Sequence, residues 1–178
     1  RFTVVDYLDF DARTEGPPAD LSEECDDCGH QNRRGARLCS ECQAKLTLRS
    51  EYDIYLDALI TTYFAERAGY PLGITYGEVL RWLPLLKPYK TADQLDEDTM
   101  YDQVYMVTHL IYTLNDYNER SLTPQRKALR AEYEFLRAAI PHYIEKDDAE
   151  TIGELVDSLK SFGRSERNDP MVRRAIRY

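Results

Sequence analysis

Downstream of residue 50, apolar side chains recur every three or four positions, the spacing that aligns one face of an α-helix. Between 51 and 68 the series is Tyr52, Tyr55, Leu56, Leu59, Ile60, Tyr63 and Phe64. Ser50 is placed to cap the start and Gly69 to end it, so the pattern predicts an amphipathic helix. Thr75 and Glu78 stand at capping-box spacing and open a shorter helix running to about residue 86, broken near Pro84 and Pro88. A third helix is expected from about 98 to 117; it is the most apolar and should be central. Leu122-Thr123-Pro124 supplies a staple, an N-cap and a proline at the first helical position, which predicts a fourth helix over 124–140, ended or kinked by Pro141. The fifth spans about 149–162, with Thr151 and Glu154 at capping-box spacing if it starts there and Gly163 closing it. Asp169-Pro170 repeats the cap-plus-proline signal for a last helix reaching the chain end. Six helices joined by short loops make an all-α domain over 50–178.

The first 50 residues read differently. Residues 2–8 are rich in β-branched and aromatic side chains and predict one short strand. Residues 11–24, with Gly16-Pro17-Pro18 among several acids, read as an extended linker. Residues 1–24 form an acidic arm with two basic and seven acidic groups, and 25–49 a module with five basic and three. The whole chain of 178 residues carries a net charge of −9, which argues against a polyphosphate as its main partner. No apolar run approaches the roughly 20 residues needed to span a bilayer, and no secretory signal opens the chain. A cytoplasmic setting is therefore expected. The start at Arg1 and the unterminated last helix suggest a segment of a longer chain or a processed one.

All four cysteines fall within eighteen residues, a distribution unsuited to a disulfide framework tying distant loops together. Cys25-Asp26-Asp27-Cys28 and Cys39-Ser40-Glu41-Cys42 are two C-x-x-C pairs separated by ten residues. Each pair makes a turn that directs two thiolates at one point, and two such turns complete the tetrahedral sulfur cage that zinc prefers. A catalytic zinc would need an open position, and a redox dithiol would precede a thioredoxin-like helix; iron in a rubredoxin-like cage is the other metal to weigh. His30 is an additional donor in the same stretch, but four cysteines already complete the set. Arg33, Arg34 and Arg37 make the intervening loop basic without the interleaved aromatics that stack bases, which favours a protein or intramolecular contact over nucleic acid.

The run Cys25-x-x-Cys28-Gly29-His30-x-Asn32-x-x-Gly35-Ala36-Arg37-x-Cys39-x-x-Cys42 resembles the short zinc ribbons found in many bacterial proteins. It departs at Leu38, where an aromatic is common, and at Gln43, where glycine is usual. The resemblance implies a pair of short β-hairpins stacked on one structural zinc ion, with metal binding supplying the folding free energy. It covers about one eighth of the chain.

On the expected third helix, Tyr105, His109, Tyr112 and Asp116 share one face, opposite Val104, Val107, Ile111 and Leu114. A polar stripe on a central helix must be hydrogen-bonded. It is either a network fixing helix register or the lining of a small-molecule pocket, with His109 as acid/base. Asp96, Glu97, Asp98 and Asp102 surround the start of that helix, where acids oppose the positive dipole end. Phosphate loops and nucleophile elbows are absent. The fold class expected is thus mainly α, an N-terminal four-cysteine zinc ribbon followed by a helical domain. The function expected is non-catalytic interaction or assembly with a partner protein, the alternatives being the His109 pocket and a nucleic-acid-linked regulator.

Overall fold

The computed structural model describes residues 23–25, 27–33, 36–46 and 49–178. The strand expected at 2–8 and the linker over 11–22 lie outside them. The chain divides into two compact units, one ending at Lys87 and the other beginning at Pro88.

In the first unit, β1 (Glu23–Glu24) pairs antiparallel with β2 (Gln31–Asn32), Glu23 opposite Asn32 and Glu24 opposite Gln31. The last two residues of the expected linker are therefore strand. Helix α1 (Glu51–Ala68) begins where Ser50 accepts a hydrogen bond from the Asp53 amide, and ends at Gly69, whose φ of 74° lets its N–H turn back to the Ala65 and Glu66 carbonyls. Arg49, just before the helix, forms ion pairs with Asp53 and Asp57. Ile54, Tyr55 and Leu56 are consecutive and all buried, so α1 is enclosed on more than one side rather than along a single stripe.

Helix α2 (Tyr76–Leu80) opens on the expected capping box: Thr75 accepts from the Glu78 amide, and Glu78 accepts from the Thr75 amide. It packs on α1, with the Tyr76 amide donating to Glu66 at 2.7 Å and the Tyr63 and Tyr76 rings edge to face. The helix stops at Leu80 instead of continuing to residue 86. In α geometry the Pro84 ring would collide with the Leu80 carbonyl, and the segment Leu83–Leu86 tightens into a 3₁₀ turn.

The second unit holds α3 (Glu97–Leu114), α4 (Arg130–Glu145), α5 (Ala149–Ser161) and α6 (Pro170–Ile176). α3 packs against α4 and α5, and α6 against the same two. Val107, Leu110 and Ile111 of α3, Leu136 and Ile140 of α4, Leu155 and Leu159 of α5 and Val172 of α6 are fully buried and form its core. The described chain is mainly helical, with six α-helices and almost no strand.

Two boundaries differ from expectation. α4 starts at Arg130, not 124, because residues 123–129 form successive tight turns closed by bonds such as Gln125 N–H to the Leu122 carbonyl and Ala128 N–H to the Gln125 carbonyl. Residues 123–128 are all exposed, so no apolar face holds them in a regular helix. α4 also continues through Pro141. The proline leaves the Arg137 carbonyl without its helical donor, but Ile140 and Tyr143 on either side are buried, and core packing outweighs a break that costs about 3 kcal/mol in an isolated helix.

Two polar clamps fix the second unit. Gln103, fully buried, accepts from the Lys90 amide at 2.8 Å and donates to the Lys90 carbonyl at 2.9 Å, pinning the segment that precedes α3. Asp169 caps α6 by accepting from the Met171 amide at 2.9 Å, as Asp169-Pro170 predicts. The same carboxylate meets Arg137 of α4, with Nη2 donating to Oδ1 at 3.1 Å and Nε 2.9 Å from Oδ2.

Candidate metal centre and the α3 stripe

The two cysteine turns are built alike, fourteen residues apart. Cys25 and Cys39 donate their amides to the carbonyls of His30 and Ala44, while Gly29 and Gln43 donate theirs back to Cys25 and Cys39. Gly29 and Gln43 both take left-handed backbone, at φ of 70° and 63°. For glycine that is free; for Gln43 it costs on the order of 1 kcal/mol. Antiparallel pairing flanks each turn, β1 with β2 around the first and a single bridge between Leu38 and Lys45 around the second.

This symmetry brings the sulfurs of Cys25, Cys28, Cys39 and Cys42 within 4.8 Å of one another. Cys25 Sγ lies 3.5 Å from Cys42 Sγ, and Cys28 Sγ 3.7 Å from Cys39 Sγ. A regular tetrahedron with metal–sulfur bonds of about 2.3 Å has edges of about 3.8 Å, so the four donors fit one metal ion. Cys25 and Cys39 are buried and pack with Leu46, Ala36 and Ala44; Cys28 and Cys42 are exposed.

Asn32 braces the two turns, a role its place in the motif does not reveal. It is 4% exposed. Its amide nitrogen donates to the His30 carbonyl at 3.0 Å and toward Cys39 Sγ at 3.5 Å, while its oxygen accepts from the Ser40 amide at 2.8 Å. His30 is held off the sulfurs by a contact of 3.0 Å between Nε2 and Ser40 Oγ. Burial would raise the Cys39 pKa, but the Cys42 amide, Asn32 and the Glu41 amide override it and pull the thiol down to about 6. At Cys28 a hydrogen bond from the His30 backbone favours the thiolate, yet burial and the other three sulfurs push it up to about 12. The protein thus supplies donors to Cys28, Cys39 and Cys42, most of them to Cys39, and a cation at the centre would relieve the remaining crowding of the sulfurs.

On α3, Tyr105, His109 and Tyr112 do lie on one face. The His109 ring sits 4.1 Å from Tyr105 and 5.4 Å from Tyr112, and the ladder extends to Tyr101, stacked 5.6 Å from Tyr105, and to Tyr117, 6.0 Å from Tyr112. His109 Nδ1 is 2.9 Å from the Tyr105 carbonyl oxygen one turn back. Burial lowers the His109 pKa, partly offset by that carbonyl and by the charge of Glu154. Asp116 leaves the face. The helix ends at Leu114, and Asp116, Tyr117 and Asn118 follow in left-handed backbone. Asp116 lies 3.6 Å from Arg120 instead. The carboxylate that acts on His109 is Glu154 of α5, which also accepts from Thr108 Oγ1 at 2.8 Å.

No described helix is long and apolar enough to cross a membrane. No protein-family model, curated protein or solved structure matches this chain.

Proposed function

We propose that this chain is a non-catalytic interaction or assembly module, with one structural zinc ion stapling the cysteine segment and the helical residues binding a partner protein. The observation that carries the reading is the closed four-sulfur cluster, which leaves a bound ion no open position for substrate or water. Zinc suits it better than iron or copper because it takes tetrahedral thiolate without redox change, and the segment is too short to hold its shape on three buried apolar residues. The resemblance to short bacterial zinc ribbons points the same way, as does a net charge that disfavours nucleic acid.

A second reading, a small-molecule pocket using His109 as acid/base, draws on the depressed basicity of that imidazole. Its contact with the Tyr105 carbonyl and the flanking rings favour a packing role.

The test is metal analysis and co-purification of the intact chain from its native host. One equivalent of zinc is expected, together with a companion protein that stays bound to the helical residues even after chelation has unfolded the cysteine segment, as long as helical circular dichroism persists. Less than one equivalent in fresh protein, or a single species with no companion, would overturn the proposal.

A further inference from the structure

Beside the start of α4, the turns of residues 123–129 and Arg164, which follows α5, line a cleft of about 380 Å³. That volume is in the range of small-molecule sites. Four cations face it, Arg126, Lys127, Arg130 and Arg164, against one carboxylate, Glu134, which already accepts from Arg130 Nε at 2.7 Å. This excess runs against the chain's net charge of −9. Among the described residues neither Arg126 nor Lys127 forms an ion pair.

Two further observations point to an anion. First, guanidinium groups converge where the protein offers them too little negative charge. The guanidinium carbons of Arg126 and Arg164 lie 5.8 and 5.3 Å from the centre of the Tyr133 ring, and that of Arg137 5.8 Å, so three like charges gather around one ring. Asp169 accepts from Arg137 and the Met171 amide and stands 4.0 Å from Arg164, whose Nε is buried and makes no hydrogen bond. A buried donor ordinarily finds a partner. Secondly, α4 is 16 residues long and starts at this cleft without a side-chain cap, Leu129 standing at the N-cap position. The acid of its first turn, Glu132, is buried and receives the Tyr89 hydroxyl at 2.9 Å. The positive end of the α4 dipole therefore adds to the field of the four cations.

We infer that this cleft binds a phosphate monoester, its dianionic group taking N–H donors from Arg126, Lys127 and Arg164 at the start of α4. A guanidinium fork grips two phosphate oxygens at once, and a tetrahedral group accepts donors from several sides, whereas a planar carboxylate carries about half the charge. A free glycerol or sugar phosphate and a phosphorylated serine of another protein share that chemistry. A single phosphate group is not the polyanion that the net charge disfavours. The cleft lies within the second unit, so its occupancy depends neither on zinc nor on the assembly reading.

Isothermal titration of the full chain at about pH 7.5, where the group is close to a dianion, tests it with glycerol 3-phosphate and separately with N-acetyl-phosphoserine amide. Saturable one-to-one binding is expected in at least one arm, and the tighter arm identifies the source. Arg126→Lys keeps the charge but loses the fork, and should weaken binding about tenfold; Arg164→Lys should do at least as much. Arg126 is exposed, so its variant should fold like wild type. No saturable heat in either arm overturns the inference. So do the two lysine variants if both bind like wild type, because diffuse attraction to a basic surface does not tell a guanidinium from an ammonium. N-acetyl-aspartate amide binding as tightly as the better phosphate probe would overturn it as well.

Discussion

Removing the Asp169 carboxylate should separate a helix cap from an ion pair. The side chain is 3% exposed and serves both: it accepts from the Met171 amide at the start of α6 and meets Arg137 of α4. Losing an Asp cap to alanine costs about 1 kcal/mol. Breaking a buried pair costs about 3 to 5 kcal/mol, but Arg137 is 34% exposed and keeps water, so about 2 kcal/mol is the better figure. Asp169→Ala should therefore cost about 3 kcal/mol, and Asp169→Asn, which retains a capping oxygen, about 2. For a unit of this size 3 kcal/mol lowers Tm by roughly 12–24 °C. Urea titrations followed by circular dichroism give both numbers. Burial alone would raise the Asp169 pKa, but Arg137 and the Met171 and Val172 amides more than reverse that, leaving it lowered. Its stabilisation is thus full above the unfolded value near 3.9 and fades as pH falls through the folded one, so wild type and Asp169→Asn should converge in acid. An alanine variant within about 0.5 kcal/mol of wild type, or an asparagine variant as damaged as the alanine one, would refute the assignment.

Three further outcomes are expected. Asn32→Ala removes the brace between the cysteine turns and a donor to Cys39, and should weaken metal retention roughly 10- to 100-fold in a chelator competition. Gln43→Gly relieves left-handed strain at φ 63° and should slow metal loss in the same assay, with up to about 1 kcal/mol gained. His109, its pKa lowered mainly by burial, favours the neutral form when folded; its stabilisation is complete above the unfolded pKa near 6.5 and declines as pH falls through the folded value. His109→Gln should flatten that decline in melts run between about pH 7 and 5.

What the sequence made legible was chemistry that acts over four residues. Ser50, the Thr75–Glu78 box and Asp169-Pro170 mark their helix starts because each cap bonds an amide two or three positions on. The spacing of the four cysteines foretold their convergence for the same local reason. What stayed hidden depends on partners far along the chain. α3 ends before Asp116 because Asn115, fully buried, donates to Ser161 Oγ and to Asn118 and accepts from the Asn118 amide, offsetting three left-handed residues. Ser161 is 46 positions away, so no window around Asp116 contains the cause. Pro141 is tolerated through core packing, and Glu154 replaces Asp116 beside His109 through helix pairing. Pro84 and Pro88 broke the helical pattern beside the division between Lys87 and Pro88, but a proline break alone does not say which helices pack together.

The Gln103 clamp imitates a rung of sheet with a side chain, since one amide group matches both hydrogen-bonding edges of Lys90. A single peptide unit in an otherwise irregular connector thereby acquires the protection of the helix that holds it. In solvent deuterium the Lys90 amide should exchange on the slow timescale of the α3 interior, an isolated island of retention amid rapidly labelled neighbours.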